Sequence, residues 1–399
     1  MVVAQPNTVF ASGAARVTLV MSCVFATVGV VLVFLPRWLE VERGLDGVEI
    51  GAVLSLAQFA RVLTGPMIAF WADGVADRRL PLRALSAAAV LAYAAFFFVA
   101  HDFWGLLALG FIALSLTQGL TPLIEAAALR ATAQGKFNYG VARGVGSIAF
   151  IASTIAGGVL IARFGLGAVV AWVLVGLTLC AASAAFGLKP DAAPMSAQRG
   201  ESRLGGTTVL LKSRRFLILI VACGLIQSAH GFYYGFSTLI WRGQGISAEM
   251  VGVLWGFGTA VEVALLWNLA PVERRLSSEA LILVGAAGGT LRWLFMGFAP
   301  TGWVLWPLQA LHALSFAAAH VGAMRLLFRE APESSPAMAQ TLYSATSAGL
   351  LMGAATLLSG VLYDAGGARG YWAMAAIAAV GGVLALLLLK PAVRTATSR

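Results

Sequence analysis

Residues Gly44–Val53 read GLDGVEIGAV, and residues Gly245–Leu254 read GISAEMVGVL. The two stretches align position by position, and in both a capping residue (Asp46 or Ser247) is expected to start a helix after a loop. An internal repeat of this kind is typical of transporter folds, in which the binding site lies between the repeats near the bilayer midplane. The pair therefore predicts a chain built of two related halves.

Apolar runs long enough to cross a bilayer fill both halves. Of 399 residues, 60% are hydrophobic and 11% are charged, and the mean hydropathy is +0.87. A soluble protein carries about 25% charged residues, and a span needs ~20 apolar residues. We therefore predict an all-α integral membrane protein with twelve transmembrane helices in two six-helix halves. The predicted spans are 17–39, 48–72, 81–100, 103–130, 138–162, 165–188, 214–241, 248–272, 279–299, 302–328, 337–362 and 370–390.

One long polar segment, residues 189–213 (KPDAAPMSAQRGESRLGGTTVLLKS), separates the halves. It is rich in Pro, Gly, Ser and charge, which is typical of a linker. We predict an N-terminal half at 1–188, a cytoplasmic linker at 189–213 and a C-terminal half at 214–399.

The net charge of +10 follows the positive-inside rule. The predicted outside loops hold only five of the 27 Lys and Arg residues, namely Arg37, Arg43, Arg163, Arg242 and Arg369. Both termini are therefore expected in the cytoplasm, and nucleic acid is not an expected partner. No P-loop and no His/Cys cluster with zinc spacing occurs, so no cofactor or metal is predicted. We expect a monomer in the inner (cytoplasmic) membrane of a bacterium.

Eight ionisable residues fall well inside predicted spans. They are Arg61, Glu125, Arg143, His230, Glu262, Arg292, His312 and His320. An isolated charge at the bilayer centre costs at least ~2.5–3.5 kcal/mol, so these residues are expected to face a shared interior. Any one Arg or Glu is equally well explained as a structural ion pair, and a lone buried His is more often a packing residue than a proton carrier. Together, with neutral histidines, the set is net positive and suits an anionic solute.

His312 and His320 stand eight residues apart in the tenth predicted span, QALHALSFAAAHVGAMR. Eight residues are a little over two helical turns, so both side chains should lie near one face. Titratable groups at membrane depth predict a proton-linked path. Aromatic residues beside the buried charges, among them Tyr234 and Trp255, are candidates to stack on a ligand ring.

The whole chain resembles the major facilitator superfamily. The loop after the second span, AFWADGVADRR, is a degenerate form of the superfamily's Gly-x-Leu-Ala-Asp-Arg-x-Gly-Arg motif. Asp73 stands at the motif's Asp, and Arg78 and Arg79 stand near its basic end. The resemblance implies a gating role for these three residues.

Within the superfamily, the chain looks most like the 3-phenylpropionate permease family of proton symporters. The matching stretches are Ala60–Gly65, Tyr139–Arg143, Gln227–Phe236, Val261–Val263, Leu291–Trp293 and Leu311–Arg325. This clade is similar to lactose permease, whose sugar-binding and proton-coupling residues occupy the same spans. By span, the matches are Glu125, Arg143, Glu262, Arg292 and His312 or His320. The Glu of the tenth span in lactose permease has no counterpart here.

The resemblance implies a proton-coupled importer of a small organic solute, an aromatic carboxylate, working by alternating access. The expected substrate-binding residues are Arg61, Glu125, Arg143, His230, Tyr234, Trp255 and Arg292. The expected proton-coupling residues are Glu262, His312 and His320, with Glu262 as the carrier and Glu125 as a second carboxylate able to relay the proton. The alternatives are a sugar or nucleoside symporter and a multidrug exporter. An enzyme is not expected.

Overall fold

The computed structural model describes residues 13–77, 79–133, 138–188, 209–331 and 336–389, and every regular element within these ranges is helical. The first six spanning helices are α1 (Gly13–Arg43), α2 (Gly47–Gly74), α3 (Leu80–Phe98), α4 (Phe103–Ala133), α5 (Tyr139–Phe164) and α6 (Gly167–Ala182). The next four are α7 (Arg214–Gly243), α8 (Ala248–Trp267), α9 (Ser278–Met296) and α10 (Gly302–Glu330). A short helix, Leu269–Glu273, connects α8 to α9.

The last apolar stretch contains two spanning helices. It runs from Met338 to Leu389 over 52 residues, which at 1.5 Å per residue is about 78 Å and more than twice the bilayer core of ~30 Å. The helical stretch is interrupted at Gly367, where φ is +54°. The helix before Gly367 covers residues 338–366 and ends with the segment Met352–Gly366; we call it α11. The helix after Gly367, Gly370–Leu386, is α12. The prediction of twelve transmembrane helices is confirmed.

Two compact units make up the protein. One comprises Met1–Leu45, Leu63–Met195 and Trp241–Gly256; the other comprises Asp46–Val62, Ser196–Ile240 and Phe257–Arg399. We call them the first and second unit. The predicted division into 1–188 and 214–399 stays a prediction, and residues 189–208 of the predicted linker lie outside the described residues.

The predicted starts of α2 and α8 are confirmed. Asp46 Oδ1 accepts from the backbone N–H of Glu49 at 2.8 Å, and Ser247 Oγ accepts from that of Met250 at 3.3 Å. The first two backbone N–H groups of α2 have no partner within the helix. In the second unit, Asp364 at the end of α11 accepts from both, from Gly47 N–H at 2.8 Å and from Val48 N–H at 2.9 Å.

Glycines set the closest helix contacts. In the first unit, a Cβ on Gly252 of α8 would meet the carbonyl oxygen of Thr154 in α5, and one on Gly256 would lie 3.2 Å from the side chain of Ile151. In the second unit, a Cβ on Gly285 of α9 would lie 2.9 Å from the backbone of Ala319 in α10. The missing side chains of these glycines therefore let the paired helices approach closely.

Replacing Gly252 with Ala should destabilise the protein, because the added methyl group meets a backbone oxygen that cannot rotate away. Overpacking of this kind costs about 1–3 kcal/mol. Gly65→Ala is the matched control, because a Cβ at this helical glycine meets nothing within 4 Å. In thermal unfolding of the detergent-solubilised protein, Gly252→Ala should melt earlier, while Gly65→Ala should match or exceed the wild type. Equal melting of the two variants would contradict the packing account.

Ion pairs fix the end of α10 in the second unit. Arg329 pairs with Glu279 at the start of α9, and Arg215 at the start of α7 pairs with Glu330 at 2.9 Å and Glu279 at 3.4 Å. Together with the close approach at Gly285, these contacts hold α7, α9 and α10 in register. Four of the ionisable residues that the sequence singles out lie farther along these helices: His230, Arg292, His312 and His320.

Candidate functional site

Arg292 is the centre of a buried polar cluster in the second unit. Its side chain is 0% exposed. Nη2 donates to Oε1 of Gln309 at 2.9 Å, and the guanidinium carbon lies 4.4 Å from the ring centroid of Tyr233 and 4.5 Å from that of Trp293. The charge is thus stabilised by an amide oxygen and two aromatic faces. No carboxylate among the described residues touches it directly.

A hydrogen-bonded chain runs from Arg292 through His312 to Glu262. Arg292 Nη1 lies 2.9 Å from Nδ1 of His312, and His312 Nε2 lies 3.2 Å from Oε2 of Glu262. The three residues come from α9, α10 and α8. The structure thereby brings together three of the residues that the sequence proposes for substrate and proton. It does so through direct side-chain contacts between three successive helices.

The chemistry of Arg292 decides the state of His312. A guanidinium has donors only and stays charged, so Nδ1 of His312 must be the acceptor and carries no proton. The proton of the neutral ring is therefore on Nε2, from which it is donated to the Glu262 carboxylate. A second proton on Nδ1 would face an N–H donor and break the contact with Arg292. Glu262 is consequently the member of the chain that can take up a proton with the chain intact.

His230 is fully buried beside the Arg292–His312–Glu262 chain. Its Nδ1 lies 3.0 Å from the carbonyl oxygen of Gln227, which can only accept, so Nδ1 is the protonated nitrogen. Nε2 is then the acceptor, 3.2 Å from Oγ of Ser315. Its ring contacts Trp293 edge-on at a centroid distance of 5.1 Å. Both ring nitrogens are satisfied inside the protein.

His312, Phe316 and His320 form a continuous ring stack along α10. Successive centroids are 5.3 Å and 6.2 Å apart, with interplanar angles of 11° and 10°. A π-helical turn at Ala313–Ala318 winds this part of α10 more loosely than an α-helix. Residues four apart therefore come nearly above one another. The prediction that the two histidines share a face is confirmed; His312 is buried, whereas His320 at the other end of the stack is exposed.

A second charged group lies in the first unit. Nε of Arg143 in α5 is 3.5 Å from Oε1 of Glu125 in α4, and Nη1 donates to Oγ of Ser147 at 2.6 Å. The guanidinium carbon lies 4.6 Å from the ring centroid of Phe25 in α1. The side chains of Arg143 and Glu125 are 36% and 33% exposed. Unlike Arg292, this arginine is accessible.

The other expected substrate residues are placed separately. Arg61 is half-buried on the part of α2 that belongs to the second unit, and Trp255 is buried in the first unit. Tyr234 is half-buried on α7, with its ring centroid 5.7 Å from that of His230. The single shared cavity expected from the sequence stays a prediction.

In the loop after α2, the carboxylate that pairs with arginine is Asp77, which the superfamily motif does not indicate. Asp77 accepts from Nε and Nη2 of Arg79 at 2.9 Å and 2.8 Å. These hydrogen bonds lower the pKa of Asp77 to about 2, so its carboxylate stays ionised at neutral pH. Arg79 also donates to the carbonyl of Leu188, and Arg83 to that of Ala184, both just beyond the end of α6. Asp73 is exposed near the end of α2, and Arg78 lies outside the described residues.

A cavity of about 800 Å³ opens between α1, α5 and α6 in the first unit. Its polar groups are turned to backbone partners: Trp172 Nε1 donates to the carbonyl of Ala26, and Ser153 Oγ to that of Phe150. None of the eight ionisable residues lines it. The cavity offers nothing to recognise a carboxylate. Across the described ranges, no group of three or more His, Cys, Asp or Glu side chains is arranged to hold a metal.

Comparison with known proteins identifies the family. The model of the MFS_1 like family matches residues 16–374. The chain belongs to the MFS_1-like family. Members of the family are transporters, not enzymes, and this chain is accordingly a multi-pass membrane transporter of the major facilitator type.

Two curated proteins and one solved structure illustrate the relationship of this MFS_1-like chain to other transporters. The chain is 31% identical to the "Probable 3-phenylpropionic acid transporter" of Escherichia coli (strain K12), over 92% of this chain and 95% of that protein. It is 28% identical to the maltose permease of Geobacillus stearothermophilus, over 94% and 93% of the two chains. A variant of the nucleoside transporter NupG has the same fold, with a TM-score of 0.83 at 15% identity, over 95% of this chain and 100% of that one.

Proposed function

We propose that this transporter is a symporter that moves a small aromatic carboxylate together with a proton. The chain Arg292–His312–Glu262 carries the proposal, because it isolates one carboxylate as the proton acceptor in the membrane-spanning region. With Arg292 charged, His312 neutral and Glu262 ionised, the chain has no net charge. Protonation of Glu262 leaves the charge of Arg292 uncompensated, and a transporter with that added positive charge attracts an anionic solute more strongly.

The proposed partner of the solute carboxylate is Arg143. It is accessible, and its planar fork suits a carboxylate. Phe25 next to it offers an aromatic face to the ring of the solute. Arg292 is fully buried, and both of its Nη atoms are already hydrogen-bonded. The relative at 31% identity, named for 3-phenylpropionic acid, supports this solute class.

Arg143→Gln should lower kcat/KM for 3-phenylpropionate about 10- to 100-fold, because a charge-assisted hydrogen bond contributes about 1.5–3 kcal/mol. Initial uptake into proteoliposomes at pH 7.5 measures this, after subtraction of protein-free liposomes to remove diffusion of the undissociated acid. Arg143→Lys keeps the charge without the planar fork, so its kcat/KM should lie between those of the wild type and Arg143→Gln. Unchanged kcat/KM in Arg143→Gln would show that another residue binds the solute carboxylate, and Arg61 would be the next candidate to test.

A sugar symporter is the second candidate, favoured by the 28% identity to maltose permease. In that case Glu125, Arg143 and Ser147 would hydrogen-bond to hydroxyl groups. Competition experiments separate the two candidates. Maltose should inhibit uptake by a sugar symporter, whereas benzoate-type acids should inhibit uptake by an aromatic carboxylate symporter. The neutral amide of 3-phenylpropionate should not compete if the carboxylate is recognised.

We further propose a bacterial inner-membrane location, with both termini cytoplasmic and a monomer as the working unit. The distribution of Lys and Arg supports the orientation. The Asp77–Arg79 pair, rather than Asp73, is then the charged element of the cytoplasmic loop after α2, and Arg79 connects it to Leu188 beyond the end of α6. Its role in gating remains part of the proposal.

A further inference from the structure

Gln309 is a buried residue of α10 that supports the charged cluster without carrying a charge. Its side chain is 0% exposed. Oε1 accepts two hydrogen bonds, from Arg292 Nη2 at 2.9 Å and from Tyr233 Oη at 2.8 Å. Nε2 has no hydrogen-bond partner among the described residues. A flipped amide would point its N–H groups at the guanidinium of Arg292, which can only donate, so Arg292 fixes the acceptor orientation.

This acceptor determines where the second nitrogen of Arg292 points. The guanidinium is a rigid planar fork, so holding Nη2 on Gln309 and stacking the plane on Tyr233 and Trp293 leaves little freedom for Nη1. Nη1 then lies against Nδ1 of His312. The contact between Arg292 and His312 that keeps Nδ1 free of a proton therefore depends on the contact between Arg292 and Gln309.

We propose that Gln309 is a positioning residue for proton coupling: by fixing Arg292, it holds His312 as the Nε2–H tautomer that donates to Glu262. The proposal rests on the proposed function in one respect, namely that Glu262 carries the coupled proton. Without the Gln309 oxygen, the guanidinium can turn away and Nδ1 of His312 becomes available to a proton. His312 then competes with Glu262, and protons bind without being coupled to the solute.

Other titratable groups surround this site and stay unchanged in the test. His230 and Tyr233 from α7 contact the His312 ring, at centroid distances of 5.7 Å and 6.3 Å. The ring centroid of Tyr234 from α7 lies 5.7 Å from that of His230, and the ring of His320 from α10 stacks on Phe316 at 6.2 Å. Tyr371 from α12 stacks on Trp293 at 5.7 Å. Gln309→Met adds no titratable group, so a change in its pH profile reports on the lost contacts of residue 309.

Two substitutions separate positioning from packing. Gln309→Met keeps length and volume but removes the acceptor, whereas Gln309→Glu keeps an oxygen at the same reach. In proteoliposomes, Gln309→Met should lower proton-driven accumulation of 3-phenylpropionate at least fivefold and shift its pH profile between pH 5.5 and 8. Exchange of labelled for unlabelled solute without a gradient should stay within twofold of wild type. Gln309→Glu should retain at least half of the accumulation.

Nitrogen NMR of histidine-labelled protein gives a readout that needs no solute. The chain has only four histidines, and loss of one set of signals in His312→Gln assigns His312. Wild type and Gln309→Glu should show His312 as the Nε2–H tautomer at pH 7, and Gln309→Met should show a mixed or protonated ring. A wild-type His312 protonated on Nδ1, or a Gln309→Met spectrum and pH profile equal to wild type, overturns the proposal. If wild type shows the tautomer but no proton-driven uptake, the proposed function fails and the positioning stands.

Discussion

Glu262→Gln should abolish uphill accumulation of the solute while leaving exchange intact. Gln keeps the side-chain length and an oxygen to accept from His312 Nε2, but it cannot bind and release a proton. A pH gradient of one unit is worth about 1.4 kcal/mol and sustains at most about tenfold accumulation for one proton per solute. We expect the wild type to approach that ratio and the variant to stop near equality, with tracer exchange within a few-fold of wild type.

Glu249→Gln is the control for this experiment. Glu249 lies in the first turn of the same helix, outside the Arg292–His312–Glu262 chain. Its replacement should leave the accumulation ratio unchanged. Retained accumulation in Glu262→Gln would show that another group carries the proton, with His320 at the exposed end of the ring stack the first to examine.

Arg292→Met should produce the largest loss of stability. The substitution leaves His312 Nδ1 without its donor and leaves the Gln309 oxygen with Tyr233 alone. It also removes the buried positive charge that balances Glu262 in the chain. Removing one partner of a buried charged arrangement costs about 3–5 kcal/mol. We expect a clearly lower melting temperature in detergent and no proton-driven accumulation in any protein that remains folded.

Two further variants calibrate that result. Arg292→Lys retains the charge but cannot reach Gln309 and His312 in fork geometry, so an intermediate melting temperature is expected. Arg163→Met removes an exposed arginine at the end of α5 and should change stability by less than about 0.5 kcal/mol. Melting of Arg292→Met within a degree of wild type would mean that the cluster contributes nothing net to stability.

The sequence predicts the membrane architecture well because the bilayer allows few alternatives. Apolar run length sets the number of spans, and local chemistry sets helix starts at Asp46 and Ser247. The cost of burying charge likewise marks His230, Arg292 and His312 as interior residues. These signals act over a few residues, so a single sequence contains them.

Partner choice within the cluster is harder to predict, because it depends on contacts between helices. Nothing in the sequence indicates that Arg292 binds a histidine and an amide rather than Glu262. Gln309 was missed because the cost of burying a charge marks only ionisable residues, and its amide is neutral. The π turn at Ala313–Ala318 aligns His312 with His320 more closely than an α-helix would. Asp77 was missed because the resemblance directs attention to Asp73.

The most direct test of proton symport follows proton movement as the solute enters. Proteoliposomes in weakly buffered medium at pH 7.5 are given 3-phenylpropionate without an imposed gradient, and external pH and labelled solute are recorded together. We expect external alkalinisation of about one proton per solute, absent from Glu262→Gln and beyond that of protein-free liposomes. Protein-dependent solute entry without alkalinisation would contradict proton symport.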